Sequence, residues 1–296
     1  MDAPELTAFI AVARSGSFSQ AAEDLHLTQP AVSKRIAALE ASLATRLFDR
    51  IGRRIVLTEA GEALLPRARR ILDEMDDARR ALSQRAGQVA GTLTVATSHH
   101  VGLHRLPPVL RAFTRHYPAV ELDLRLMDSE GACQAVADGD LELAVVTLPL
   151  AAPQRLHCTP VWEDRLQPVA GPDHPLSRLE PLEPAALSEY PAILPATGTY
   201  TRQVIDDGLL PLGVAIQEGL CTNFLETIKM LVSVGLGWSV LPETVIDDDV
   251  RRLDMGLEIK RELGVVQHRD KTLSKAARAL IAILGEIGRE TAAGRG

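Results

Sequence analysis

The stretch Thr28-Gln29-Pro30-Ala31-Val32-Ser33-Lys34-Arg35-Ile36-Ala37-Ala38-Leu39-Glu40-Ala41-Ser42-Leu43 decides how the rest of the chain is read. Val32, Ile36, Leu39 and Leu43 recur at steps of four, three and four. At about 100° per residue they fall within one narrow arc of a helix. On the other side Gln29, Pro30, Ser33 and Lys34 project from the first turns. These are compact or hydrogen-bonding groups, the chemistry a helix needs to enter a duplex major groove.

Before this helix, Asp2 and Glu5 form a D-x-x-E capping box with Pro4 in the first turn. Leu6, Phe9, Ile10 and Ala13 then share one face of a first helix, which Ser15-Gly16-Ser17 stops. A short second helix from about Ser19 to Asp24 buries Ala22 and Leu25, and His26-Leu27 turns into Thr28, the expected N-cap. Beyond the third helix, Leu47 to Leu57 carries short β-prone runs around Ile51-Gly52, with Arg50, Arg53 and Arg54 at or beside the turn. A basic hairpin tip suits phosphates or a minor groove. From Thr58 to about Arg85, Leu64, Ala68, Ile71, Met75, Ala78 and Leu82 repeat as a heptad seam, with Pro66 expected to kink or weaken its first turns. The charge-dense remaining faces favour self-pairing over a single helix lying on a globular core. Gln84 to Thr92 reads as a short linker.

Charge supports this division. The 296 residues carry a net charge of −7, which taken alone argues against a nucleic-acid partner. Residues 28–57, however, hold Lys34, Arg35, Arg46, Arg50, Arg53 and Arg54 against only Glu40 and Asp49, while residues 87–296 hold the acidic excess. Aromatic residues are only 3%, which disfavours base stacking on single strands. Cys133, Cys158 and Cys221 show no C-x-x-C spacing and do not suggest a disulfide framework. The first residues show no secretory pattern, and the longest nearly apolar stretch, Leu143 to Pro153, is too short to span a bilayer. The expectation is a cytoplasmic protein of two domains with no membrane partner.

After Thr92, strand and helix patterns alternate, implying α/β layers. Strands are expected at Thr92–Thr97, Glu121–Met127 and Leu141–Val146, with helices near Val109–His116 and Ala132–Ala137. A second group places strands near Leu166–Ala170, Ala192–Leu194, Val214–Gln217 and Trp238–Leu241, with a helix over Phe224–Val234. A strand at Gly264–His268 and a helix at Leu273–Ile287 follow.

The run Phe18-Ser19-Gln20-Ala21-Ala22-Glu23-Asp24-Leu25-His26-Leu27-Thr28-Gln29-Pro30-Ala31-Val32-Ser33-Lys34-Arg35-Ile36 resembles the winged helix-turn-helix signature of the LysR-type transcriptional regulators. Leu47-Phe48-Asp49-Arg50 and Leu57-Thr58-Glu59-Ala60-Gly61 are similar to that family's wing and entry to the linker helix. Weaker likenesses, Ala112-Phe113 with Tyr117-Pro118 and Gly235-Leu236-Gly237 leading to Leu241-Pro242, extend over the C-terminal part. The resemblance implies an α/β protein with an N-terminal all-α winged helix-turn-helix (1–58), a linker and dimerisation helix (59–86) and a hinge linker (87–91). It implies an effector-binding domain (92–296) of two Rossmann-like subdomains like a periplasmic binding protein of type 2. Subdomain I would cover about 92–162 and 267–296, subdomain II about 163–266, with two crossovers at a hinge. The implied partners are double-stranded promoter DNA bearing an interrupted palindrome, a small-molecule effector and further copies of the chain as homodimer or homotetramer, with RNA polymerase a further candidate. No cofactor is implied.

By the same resemblance Gln29, Pro30 and Ser33 face bases beside Thr28, while Lys34, Arg35, Arg50, Arg53 and Arg54 hold phosphates or the minor groove. Effectors in the family sit between the subdomains, at strand ends and helix N-termini. Ser98, His99 and His100 follow the first strand, Ser129 the second and Thr147 the third, and their donors suit a small anionic metabolite. Thr197, Gly198, Thr199 and Thr201 form a hydroxyl-rich loop, and Thr222 and Asn223 precede the Phe224 helix, where local capping competes with a ligand role. His100 and His104 can ligate a metal if helical, but Pro107-Pro108 shortens any helix there and no acidic or cysteine ligand stands at a useful spacing, so none is assigned. Cys221 reads as a small buried apolar residue, and Asp247-Asp248-Asp249 as a solvated cap or turn.

An enzyme would need chemistry within 92–296. That segment has no G-x-S-x-G, H-E-x-x-H, G-x-x-x-x-G-K-[ST] or G-x-G-x-x-G after a strand, so no enzyme activity is expected. A transport-type solute-binding protein is opposed by the basic helical unit and the missing export pattern.

Overall fold

Asp2 Oδ1 accepts the Glu5 N–H at 2.8 Å while Glu5 Oε2 accepts the Asp2 N–H at 2.9 Å. This closed capping box starts α1 (Ala3–Ser15) in a computed structural model that describes residues 1–51, 54–83 and 89–293. Gly16 ends α1 with a left-handed φ of 62°, and Ser17 caps α2 (Phe18–Asp24) by accepting the Gln20 N–H. His26, at φ 53°, makes the tight turn into α3 (Gln29–Leu43). Thr28 occupies the N-cap position there, but its hydroxyl makes no capping bond. A two-stranded wing, β1 (Phe48–Ile51) with β2 (Arg54–Leu57), pairs antiparallel with Phe48 opposite Leu57. Leu6, Phe9, Val12, Val32, Ile36, Leu39, Leu47 and Phe48 close one core beneath these elements.

The corner from wing to α4 (Glu59–Ser83) explains the Thr58-Glu59-Ala60-Gly61 phrase. Thr58 Oγ1 donates to the Arg46 carbonyl at 2.8 Å and accepts the Gly61 N–H at 3.1 Å. A Cβ on Gly61 would stand 2.3 Å from the Leu47 carbonyl oxygen, so the helix enters only where no side chain intervenes. Pro66 lies within α4 without ending it.

In the first half of the expected self-pairing seam the side chains also pack within their own unit. Ala68 is fully buried in the unit's own core, and Leu64 and Ile71 pack against the same core, because α4 lies along α1. Met75 is exposed, and the side chains of Ala78 and Leu82 lie outside the described residues.

The chain divides into two compact units, Met1–Gln88 with Asp138–Asp140, and Val89–Ala137 with Leu141–Gly296. In the second unit β3 (Gly91–Thr97), β4 (Val120–Leu126) and β5 (Leu143–Thr147) pair in parallel, in the order β4-β3-β5. They alternate with α5 (His99–His104), α6 (Leu106–His116) and α7 (Ser129–Ala137). The long β6 (Leu156–Ala170) leads on to β7 (Pro191–Leu194), α8 (Tyr200–Leu209), β8 (Gln217–Cys221), α9 (Leu225–Ser233), β9 (Trp238–Pro242) and the short β10 (Arg251–Arg252). The chain returns through β11 (Ile259–His268) to α10 (Lys275–Ala293).

Among the described residues these nine strands form one sheet, ordered β4-β3-β5-β11-β6-β9-β7-β8 with β10 on β6. Two lobes result, joined by the antiparallel pair β6 and β11, whose register runs from Ile259 opposite Leu166 to His268 opposite Leu156. The expected subdomain limits near 162 and 266 therefore fall inside strands that continue through both lobes. Each lobe has its own apolar packing: Leu93, Val95, Phe113, Val145, Leu263 and Leu280 in the first, Leu166, Ile205, Trp238 and Val240 in the second.

Several elements differ from the pattern reading: β6 and β11 begin at Leu156 and Ile259, well before the strands expected near Leu166 and Gly264, and α5 forms where no helix is expected. The strand expected at Val214–Gln217 lies at Gln217–Cys221, and α8 occupies a stretch read as loop. Thr199 Oγ1 accepts the Arg202 N–H at 3.2 Å and starts α8, but the helix buries Thr201 and Arg202 beside Val204, Ile205 and Leu209. Polar groups on the buried face erase the apolar period. Among the described residues no helix is long and apolar enough to cross a membrane.

Gly61→Ala is expected to cost about 1–3 kcal/mol through overpacking against the Leu47 carbonyl. Reduced hydrogen-exchange protection of α1 and α3 amides in the full chain measures it.

Candidate functional site

On the first unit, Thr28, Gln29, Pro30 and Lys34 are exposed on the leading turns of α3, while Val32, Ile36 and Leu39 turn into the core. Gln29 Nε2 donates to Ser33 Oγ at 2.9 Å, so the two groups are held together along one helix face. Ser33 and Arg35 are half-buried. Arg53 and the side chains of Arg50 and Arg54 lie outside the described residues. Arg14 is committed to Asp24 at 2.8 Å.

On the second unit, both lobes line a cavity of about 560 Å³. Ser98, His99 and His100 reach it from the end of β3 and the start of α5, Ser129 from the start of α7, and Thr147 from the end of β5. Thr199, Thr201 and Asn223 reach it from the second lobe. Three expected members do not. The left-handed turn at Gly198 leaves Gly198 and Thr197 exposed outside the lining, and Thr222 Oγ1 accepts the nearby Phe224 N–H at 3.4 Å.

Other members of the lining carry charge. Arg261 on β11 is only 4% exposed, and its in-register partner on β6 is Asp164, also buried. Arg261 Nε donates to Asp164 Oδ2 at 2.9 Å, and Nη1 donates to Thr201 Oγ1 at 2.6 Å. Arg105, at the junction of α5 and α6, donates through Nη2 to Asp164 Oδ1 at 2.8 Å. Burial alone would raise the Asp164 carboxyl, but the adjoining His100 imidazole and the Arg261 and Arg105 guanidiniums outweigh it and hold it far below the ordinary range. Burial also pushes His100 below the usual imidazole value, against the opposing pull of Asp164. Two guanidiniums thus share one carboxylate, and a buried Arg261 Nη2 lies 2.8 Å from Asp164 Oδ2 without hydrogen-bond geometry.

Contacts between the lobes frame the same cavity. Glu130 Oε1 accepts the Tyr200 N–H at 2.6 Å, and Asn223 Nδ2 donates to Asp128 Oδ2 at 3.2 Å. Asp128 and Glu130 flank Ser129 in the chain, so the strand-end position that selects Ser129 also points to them. Arg261 has no comparable signal. Within Lys260-Arg261-Glu262, only the register with β6 reveals which charge is buried.

The histidines meet an acid that the sequence spacing misses. His104 Nε2 lies 2.8 Å from Glu226 Oε1 and His99 Nδ1 lies 3.3 Å from Glu226 Oε2, because α9 brings a residue 122 positions away against α5. Lys229, also on α9, is held by Asp247 and Asp249. Cys221 is exposed on β8, contrary to its reading as buried, because that strand lies at the edge of the sheet. Burial instead pushes the Cys133 thiol up to about 11.

A helix-turn-helix with a wing, joined to a two-lobed α/β unit with a cavity lined from both lobes, defines a class of DNA-binding transcriptional regulators. The model of the bacterial regulatory helix-turn-helix protein, lysR family, matches residues 4–62, and that of the LysR substrate binding domain matches residues 86–289. The chain belongs to the LysR family of transcriptional regulators, and it is a regulator with a substrate-binding domain and not an enzyme. A protein named as a probable RuBisCO transcriptional regulator from Cyanophora paradoxa is 32% identical over 282 residues, covering 90% of this chain and 86% of its own. The HTH-type transcriptional regulator YeiE of Escherichia coli strain K12 is 31% identical over 283 residues, 94% of each chain. Among solved structures, a full-length OxyR variant from Pseudomonas aeruginosa shares the fold with a TM-score of 0.70 at 22% identity, over 98% of this chain and 95% of its own. Full-length CbnR, solved in complex with its target DNA, gives 0.66 at 22% identity over 97% and 99%.

Asp164→Ala leaves two buried guanidiniums without their carboxylate and is expected to destabilise the second unit by roughly 3–5 kcal/mol. Urea denaturation measures this, with the exposed Asp173→Ala expected to leave the midpoint unchanged.

Proposed function

We propose that this regulator reads duplex promoter DNA through the leading turns of α3 and that a small anionic metabolite in the cavity of the second unit modulates that binding. In this reading Gln29, Pro30 and Ser33, beside Thr28, meet base edges, while Lys34, Arg35 and the wing arginines Arg50, Arg53 and Arg54 meet phosphates or the minor groove. The target is an interrupted palindrome read by a symmetric assembly, homodimer or homotetramer, with the outer part of α4 contributing to pairing. The site of action is the cytoplasm. RNA polymerase is a further partner in this reading.

The observation that carries the anion is the buried Arg261 in the lining, whose Nη2 lies beside Asp164 without hydrogen-bond geometry, while the lining carboxylates Asp128 and Glu130 are engaged by Asn223 and the Tyr200 N–H. A carboxylate or oxyanion would satisfy that donor and accept from Ser98 and Thr201 in the same lining. The volume of about 560 Å³ suits a metabolite-sized ligand. Such a ligand would shift the population of lobe arrangements to the extent that it favours one over the other, against the existing Glu130–Tyr200 and Asp128–Asn223 contacts. A changed arrangement would then relax or move a promoter bend.

Two measurements test the reading. In a thermal-shift series of small carboxylates and oxyanions, a ligand at a hundred times its dissociation constant should stabilise the full chain by about 2.7 kcal/mol. Ser98→Ala should diminish that shift, and equal shifts in both proteins would remove Ser98 from the site. In fluorescence anisotropy at moderate salt, wild type should prefer its own promoter duplex over random duplex, and Gln29→Ala should lose about 1–3 kcal/mol of that discrimination. No preference in the wild type would overturn the DNA assignment.

A further inference from the structure

His100 and His104 stand four residues apart on α5, one turn above the other on the same face, with ring centroids 4.8 Å apart. Glu226 faces them from α9 of the other lobe. One ring nitrogen from each histidine and one Glu226 oxygen all lie within 4.8 Å of one another. We propose that these three side chains bind a divalent transition-metal ion of the zinc kind, clamping α5 of the first lobe to α9 of the second. His100 also lines the cavity of the anion reading, but His104 and Glu226 do not.

The donor set is chemically apt. Two imidazoles and a carboxylate are ligands zinc takes at about 2.0–2.2 Å, and a three-residue set leaves a fourth position for water or a small ligand. The second nitrogen of His100 has the support a metal-binding histidine needs. Its Nε2 faces Asp164 Oδ2 at 3.6 Å and Thr244 Oγ1 at 3.5 Å, while its Nδ1 is buried without a hydrogen-bond partner. In the tautomer that carries its proton on Nε2, on the side of Asp164, Nδ1 offers its lone pair to a metal, the arrangement common to metal-binding histidines. Without an ion, that lone pair is a buried acceptor left unsatisfied, which costs free energy.

Glu226 has a complementary deficit. Its basic neighbours are the imidazoles of His99 and His104, and its Oε2 is buried without hydrogen-bond geometry. The nearby ammonium of Lys229 is engaged by Asp247 and Asp249. A bound cation would supply the positive charge that this carboxylate lacks. An approach also exists. His104 and Glu226 line a second cavity of about 360 Å³ whose other charged members, Asp247 and Asp249 against Lys229, leave its rim net negative. Both side chains are only partly covered, with 26% and 32% exposure, so modest rotations can bring the donors to the roughly 3.3 Å separations that tetrahedral zinc bond lengths require.

The test uses the full chain, stripped with chelator, kept reduced and titrated with Zn²⁺ alone by calorimetry. One ion per chain is expected, at low-micromolar affinity or tighter. His104→Ala and Glu226→Gln, both at partly exposed positions, should each weaken binding at least about tenfold, the lower bound for losing even an outer support of a metal site. His157→Ala, an exposed histidine elsewhere, should change nothing. Co²⁺ should give visible d–d absorption that His104→Ala abolishes while far-ultraviolet circular dichroism stays native. Absence of stoichiometric Zn²⁺ binding overturns the proposal. So does binding that survives both His104→Ala and Glu226→Gln, because the ion would then sit elsewhere.

Discussion

The second unit depends on one buried carboxylate and the register that places it. Asp164 and Arg261 stand opposite each other on β6 and β11, the pair of strands that belongs to both lobes, and Arg105 arrives from the junction of α5 and α6. Charges this deeply buried are stable only when paired with good geometry, and removing one member costs far more than replacing the whole set with apolar groups. The network therefore fixes β6, β11, α5 and α8 in one arrangement, with Thr201 as the link to α8. Two guanidiniums against one carboxylate also leave Arg261 Nη2 beside Asp164 without hydrogen-bond geometry.

Much of the fold was legible in the sequence. The capping box at Asp2 and Glu5, the apolar arc of Val32, Ile36 and Leu39, and the parallel strands after Thr92 are local patterns that tertiary packing reinforces. Patterns failed where burial contradicted polarity. α8 hides Arg202, which spans Asp206 and Glu218, so its inner face does not read as apolar. The heptad of α4 is real as spacing, but spacing does not say whether the partner is another copy or the same unit. Ala68 at complete burial shows that part of it serves the latter.

The cavity was legible through its strand ends. Ser98, His100, Ser129 and Thr147 follow β-runs and line it, whereas Thr197 and Thr222 were singled out by hydroxyl chemistry and are turned aside by local backbone geometry. Glu226 and Arg261 were out of reach for a different reason. Their partners are 122 and 97 residues distant, and no spacing rule covers contacts made by the returning chain.

The third helix carries two independent faces on one rod. Val32, Ile36 and Leu39 belong to the core, whereas Gln29, Pro30 and Lys34 touch no part of it. A substitution at Lys34, exposed and beyond the first turn, carries little folding penalty, because surface changes away from caps and cores usually fall within about 0.5 kcal/mol. The corner at Gly61 has no such freedom, since even a methyl group meets the Leu47 carbonyl. If α3 reads DNA as proposed, descendants of this protein can drift toward new operators by changing its outer residues, while the scaffold that aims them is inherited intact.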